Sequence, residues 1–283
     1  MFHWLTEPLQ LEFMRHALIA ALIAGMSCPI FGAYLVVQRL ALLGDVMTHT
    51  VMPGVALAYF WKVDVLLGAM ISGVSSSFVI NWLRGQTRVK VDSAMALTST
   101  SFFALGVLLL QALRINVDLH SFLFGDLLGV TVNDLWRTGL IMMFLLICVR
   151  LCYQQLLFYT FDPLGAEAIG LPVRWLSFAM MAGIALTIIA SMQTMGVILV
   201  IALLVGPSIT AYLLVKELHH MMGLGALIGG ISSLTGLYIS YFQNLPLGPV
   251  IVLVIFSIFC ITMISTIIWE YWLRWQGKTK RNS

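Results

Sequence analysis

The chain has 283 residues, 60% of them hydrophobic and only 10% charged, with a mean hydropathy of +0.99. A soluble domain carries roughly 25% charged residues, so this chain lacks the polar surface for a water-facing shell. Its 15 Lys+Arg against 12 Asp+Glu leave a charge of +3, too small and too dispersed to mark a nucleic-acid partner. A soluble enzyme, a secreted disulfide scaffold and a nucleic-acid binder are therefore excluded. The composition is that of a polytopic membrane protein.

The N-terminal MFHWLTEPLQLEF has no basic n-region and no small-residue cleavage site, so no removable signal peptide is expected. Nine apolar runs then suggest helices at roughly 13–38, 45–61, 63–83, 93–112, 135–153, 175–192, 194–215, 222–242 and 248–272. The runs are continuously apolar rather than alternating, which favours helices over a β-barrel. At about 20 residues each, nine crossings use about 180 residues and leave no room for a folded catalytic domain. The expected fold is all-α: one transmembrane domain over residues 1–283, a helical bundle of eight or nine spans. The lower count applies if one segment is re-entrant or two are joined. The 45–61 segment, with Asp45, His49 and Pro53, is the weakest span.

In the nine-span arrangement, Arg39, Arg84, Arg88, Lys90, Arg150, Arg174, Lys216, Arg274, Lys278, Lys280 and Arg281 fall on one side. Arg15, Lys62, Arg114 and Arg137 fall on the other. The richer side is expected to be cytoplasmic, which puts the C-terminus inside. It also puts Asp45 towards the cytoplasmic end of its helix.

Two connections are longer than the rest. Residues 113–134, RINVDLHSFLFGDLLGVTVNDL, are too polar to span and lie on the outer side, where Asp118, His120 and Asp126 suit a cation entrance or simply a solvated loop. Residues 154–174, on the cytoplasmic side, contain DPLGAEAIGLP, which reads as turn, short helix, turn. Pro163 opens that helix, and Gly170 with Pro172 closes it. A stiff capped segment suits docking to another protein, and suits an ordinary loop helix equally. Gly225 and Gly229 form a GxxxG pair, which fits a moving or dimerising face or, more simply, tight packing within one bundle. Four cysteines, Cys28, Cys148, Cys152 and Cys260, sit in apolar runs and read as buried thiols. Gly277-Lys278-Thr279 mimics the end of a phosphate-binding loop, but the required first glycine falls at Trp272 and no strand precedes it. Any nucleotide hydrolysis must come from another chain.

Ionisable groups in a bilayer core cost about 2.5–3.5 kcal/mol each on insertion scales, so Asp45 and His49 need a reason to be there. At i, i+4 they project from one helix face with Cβ atoms about 5–6 Å apart. A carboxylate and an imidazole so placed can share a divalent cation. The O/N pairing suits Mn²⁺, Fe²⁺ or Zn²⁺ better than Cu⁺. The simpler alternative is that Asp45 caps the helix start and His49 hydrogen-bonds to it. His219 and His220, beside Lys216 and Glu217, read as cytoplasmic surface residues.

Four stretches together carry a resemblance: YLVVQRLALLGDVMTHTVMPGVALAY (34–59), DLHSFLFGDLLGVT (118–131), DPLGAEAIGLPV (162–173) and GVILVIALLVGPSITAYLL (196–214). They resemble the membrane permease subunits of the bacterial metal-ion ABC importers, which carry Mn²⁺, Zn²⁺ or Fe²⁺. The resemblance covers most of the chain in the family's order, and its wording looks nearest to the manganese branch. It implies a permease of the bacterial plasma membrane that works as a dimer with a second copy of itself. It also implies a cytoplasmic ATP-binding-cassette ATPase pair, which uses the ATP, and an extracytoplasmic metal-binding protein. On this resemblance the metal pathway falls on Asp45 and His49. Coupling to the ATPase falls on Asp162, Pro163, Glu167, Gly170 and Pro172. Thr48 and Thr50 depart mildly from the Ala or Ser common in the family. The other class of function that the residues alone allow is a transporter driven by an ion gradient.

Overall fold

The computed structural model describes residues 10–86, 89–114 and 129–279, with side chains as far as Trp269. Among these residues the chain is all-α, with no strand. The helices are α1 (Glu12–Val37), α2 (Leu43–Thr50), α3 (Met52–Trp61), α4 (Val65–Gln86), α5 (Val91–Ala112) and α6 (Val132–Leu151). There follow α7 (Tyr153–Phe161), α8 (Pro163–Ala168), α9 (Val173–Met195), α10 (Val197–Leu214), α11 (Leu218–Gln243) and α12 (Leu247–Thr279). Eight of them are long and apolar enough to cross a membrane. The expected 45–61 helix is instead the pair α2 and α3, parted at Val51. The break follows from Pro53, whose ring nitrogen cannot donate to the His49 carbonyl one turn earlier.

α1 is the hub, packing on α11, α10, α9 and α6, while α4 ties the α3–α5 group to α9. Seventy-two per cent of the apolar window of α9 is buried but only 11% of that of α12, so α9 is central and α12 lies at the edge of the bundle. Side-chain size sets how close the central helices come. A Cβ on Gly229 of α11 would run into the Gly25 carbonyl oxygen of α1, and one on Gly54 of α3 into that of Gly68 of α4. The Gly225/Gly229 pair therefore serves packing within the bundle, because lipid offers no hydrophobic drive and close van der Waals contact replaces it. Where α1 meets α10, Ser208 Oγ lies 2.9 Å from the Pro29 carbonyl oxygen.

One prediction follows from this contact. Gly229→Ala should destabilise the purified chain by about 1–3 kcal/mol, because a backbone carbonyl cannot yield to the added methyl. Gly223→Ala in the same helix, where nothing lies within 4 Å, should not lower stability. Thermal unfolding in detergent reads the difference, and equal melting temperatures for the two variants would refute it.

Candidate functional site

α2 carries the candidate metal pair. Its N-cap position is Leu42, with no side-chain cap, and Asp45 stands in the first turn. Asp45 is exposed, His49 is half-buried, and among the described residues no hydrogen bond or ion pair joins them. The capping alternative is thereby removed: the carboxylate has no role in holding the helix end. The His49 ring rests edge-on against Phe103 of α5, with centroids 5.4 Å apart and planes at 82°.

The depth of the pair differs from the expectation of a cytoplasmic helix end. Met47, between the two residues, places its Sδ 3.7 Å from Ser76 Oγ and 3.9 Å from Ser77 Oγ, midway along α4. Phe103 likewise lies near the midpoint of α5. Asp45 and His49 thus stand at mid-height in the bundle. Leu40 of the α1–α2 turn and Leu43 at the start of α2 are buried at 5% and 0% exposure, although Arg39, Ala41 and Leu42 between and beside them are exposed. α4 runs on for about two more turns beyond that level.

Hydroxyls steady the broken segment behind the pair. Ser72 Oγ donates to the Thr50 carbonyl oxygen at 2.6 Å, and Ser76 Oγ lies 3.0 Å from Thr50 Oγ1. Thr48 Oγ1 donates to the Asp45 carbonyl oxygen at 2.6 Å. Sequence reasoning missed Phe103 and the Ser72–Ser76 partnership. Ser72 and Ser76, at i, i+4 within SGVSSS (72–77), share the face that meets Thr50.

α8 has the local form expected of its sequence. Asp162 Oδ1 accepts from Gly165 N at 2.9 Å, Pro163 occupies the first turn, and Gly170 has φ +83°. Gly170 N donates to Glu167 O and Leu171 N to Ala166 O, both at 3.0 Å, closing the helix after its last turn. Leu164 and Ile169 project into solvent at 79% and 64% exposure, beside an exposed Glu167. Two bulky apolar side chains held outward on a capped helix form a contact surface without a partner in this chain.

Asp118, His120 and Asp126 lie outside the described residues. Arg137 pairs with Asp64, joining the α3–α4 turn to α6 at the outer rim. At the start of α11, Glu217 Oε2 lies 3.2 Å from His220 Nδ1 and 3.4 Å from His219 Nε2. All three residues are exposed, as expected of a surface cluster. The Tyr153 phenol on α7 is pushed above its ordinary value, by partial burial first and by the Glu217 carboxylate second. The four cysteines are free thiols; Cys28 is buried, but Cys152 at the end of α6 is exposed, against the expectation for it.

Residues 10–266 match the model of the ABC 3 transport family. The chain belongs to the ABC 3 transport family. Among ABC 3 relatives, it is 37% identical over 271 residues to the manganese transport system membrane protein MntC of Halalkalibacterium halodurans, spanning 94% of this chain and 93% of that protein. It is 34% identical over 264 residues to the chelated iron transport system membrane protein YfeD of Yersinia pestis, spanning 93% and 89%. The solved structure of PsaBC from Streptococcus pneumoniae in complex with Fab matches with a TM-score of 0.81 at 33% identity, over 92% of this chain and 94% of that one. The ABC 3 permease expected from the four sequence stretches is borne out, as is the all-α membrane bundle.

Proposed function

We propose that this ABC 3 chain is the pathway-forming permease of an ATP-driven importer of divalent transition-metal ions, with Mn²⁺ as its preferred cargo. The observation that carries the reading is the Asp45/His49 pair: one oxygen and one nitrogen donor on a single helix face at mid-height, neither hydrogen-bonded to another side chain among the described residues. An exposed carboxylate at that depth is costly unless a cation or water-filled path meets it. Two copies facing one another across a shared path would offer four such donors. A hard oxygen with a borderline nitrogen suits Mn²⁺, Fe²⁺ and Zn²⁺, and the names of the relatives point to manganese first and iron second.

The ATP-hydrolysing subunits dock on α8, where Asp162, Pro163, Glu167, Gly170 and Pro172 form or flank the capped segment. An extracytoplasmic binding protein delivers the ion, with Asp118, His120 and Asp126 at the entrance. This chain holds and releases the cation, and the ATPase pair supplies the energy. The system belongs in the bacterial plasma membrane. Cargo is tested by radioactive Mn²⁺ uptake in cells lacking their own importers and carrying this chain with its ATPase and binding protein. Excess Zn²⁺ or Fe²⁺ should compete less well than unlabelled Mn²⁺. Stronger inhibition by Zn²⁺ or Fe²⁺ would move the assignment to that metal. Uptake that persists without the ATPase would favour a gradient-driven carrier.

A further inference from the structure

The cytoplasmic ends of α4 and α9, beside the start of α8, enclose a cavity of about 450 Å³. Arg84 and Arg174 both line it, and among the described residues no carboxylate does. Neither guanidinium has an ion-pair partner among those residues, although Asn81 Nδ2 reaches the Arg174 carbonyl oxygen at 3.2 Å and ties the two helix ends together. Arg84 Nη1 is buried without a hydrogen-bond partner. Ser177, only 5% exposed, also lines the cavity, and its Oγ likewise has none. Buried polar groups are nearly always satisfied, and these two stand in the wall of a cavity whose two guanidiniums have no anionic partner among the described residues, a lining suited to an anionic ligand.

A second feature says what else the ligand carries. Towards the bilayer centre the cavity opens onto an apolar groove along α4, bounded by Ile71, Val74, Phe78 and Phe178. Phe78 and Phe178 belong to both spaces and stack edge to face, with centroids 5.9 Å apart. Trp82 and Trp175 flank the cavity at 55% and 69% exposure, as aromatic side chains do at headgroup level. A soluble anion would fill the cavity and leave the groove bare. A protein docking from the cytoplasm would do the same. An amphiphile with a phosphate at one end and an alkyl chain at the other fills both.

We propose that Arg84 and Arg174 bind the phosphate of one anionic phospholipid of the cytoplasmic leaflet, with an acyl chain lying along the α4 groove. Basic pockets between membrane helices on that side are suited to anionic headgroups. Pro163 of α8 lines the same cavity, so an occupied site braces the root of that segment.

The test uses the full-length chain purified in mild detergent and titrated with dioleoyl phosphatidylglycerol or dioleoyl phosphatidylcholine, with bound lipid counted by native mass spectrometry. The unsubstituted chain should hold one phosphatidylglycerol in preference to phosphatidylcholine. Arg84→Gln with Arg174→Gln should lower that preference about thirtyfold, as expected for two lost surface-membrane charges. Arg84→Lys with Arg174→Lys should retain most of it. Equal retention of the two lipids, or an unaltered preference in the Gln variant, overturns the proposal. So does a Gln variant that keeps its lipid but no longer binds the ATPase, which would make the cavity part of a protein interface. If the Gln variant fails to fold, brominated lipids decide on the unsubstituted chain. Brominated phosphatidylglycerol should quench tryptophan fluorescence more than brominated phosphatidylcholine, and Trp175→Phe should remove the excess. Identical quenching by both lipids also overturns it.

Discussion

Asp45→Asn and His49→Ala should each abolish most Mn²⁺ uptake while leaving the amount of chain in the membrane unchanged. Changes confined to the surroundings of a metal ligand already cost about 10–100-fold in affinity, so removing a donor should reach at least the upper end of that range. Stability should not follow. Asp45 is exposed and caps nothing, and His49 contributes an edge contact with Phe103. Neutralising a charge at mid-height relieves an insertion cost of about 2.5–3.5 kcal/mol, so Asp45→Asn should match or exceed the parent in thermal stability. The double variant should be little worse than either single one, because the two donors act on one ion. Radiolabelled uptake with quantified membrane expression measures all three. Normal uptake in both single variants would remove the site from this helix.

The second large effect is expected on the cytoplasmic side. Leu164→Asp should prevent the ATPase from co-purifying with this chain, and Gly170→Val should leave ATP hydrolysis running without metal uptake. Leu164 is 79% exposed, so an aspartate there removes an apolar contact without disturbing the bundle. Gly170 sits at φ +83°, a conformation that costs a β-branched residue more than about 1 kcal/mol. The strain would loosen the turn that fixes α8 to α9, so force applied to α8 would no longer reach the membrane helices. Coupled ATPase and uptake assays on the reconstituted complex separate the two outcomes. If both variants dock and transport as the parent does, α8 is a passive loop helix.

Much of this architecture could be read from composition and punctuation. Long apolar runs needed no tertiary partner to declare themselves helices, and Asp162, Pro163 and Gly170 wrote the ends of α8 in local chemistry. The i, i+4 spacing of Asp45 and His49 likewise survives, because α2 is helical through both. What failed was position along the membrane normal. Counting from a loop assumes that helices begin at the surface, whereas α2 starts at the buried Leu43 and its Met47 meets Ser76 and Ser77 midway along α4. The partners of the site were also hidden. Phe103 and Ser72 lie on helices far along the chain, and nothing in their own sequence says which neighbour they meet.

The junction at Val51 has a mechanical consequence. α3 is anchored by the backbone contact between Gly54 and Gly68, whereas α2 is tied at the break by two hydroxyl contacts, Ser72 Oγ to the Thr50 carbonyl oxygen and Ser76 Oγ to Thr50 Oγ1. One hydrogen bond of this kind is worth about 0.5–1.5 kcal/mol net, comparable to a few units of thermal energy. If Asp45 and His49 hold the cargo as proposed, a small rotation of the short helix about this junction would turn the two donors apart without unwinding either segment. Release of the ion would then need no movement of α3.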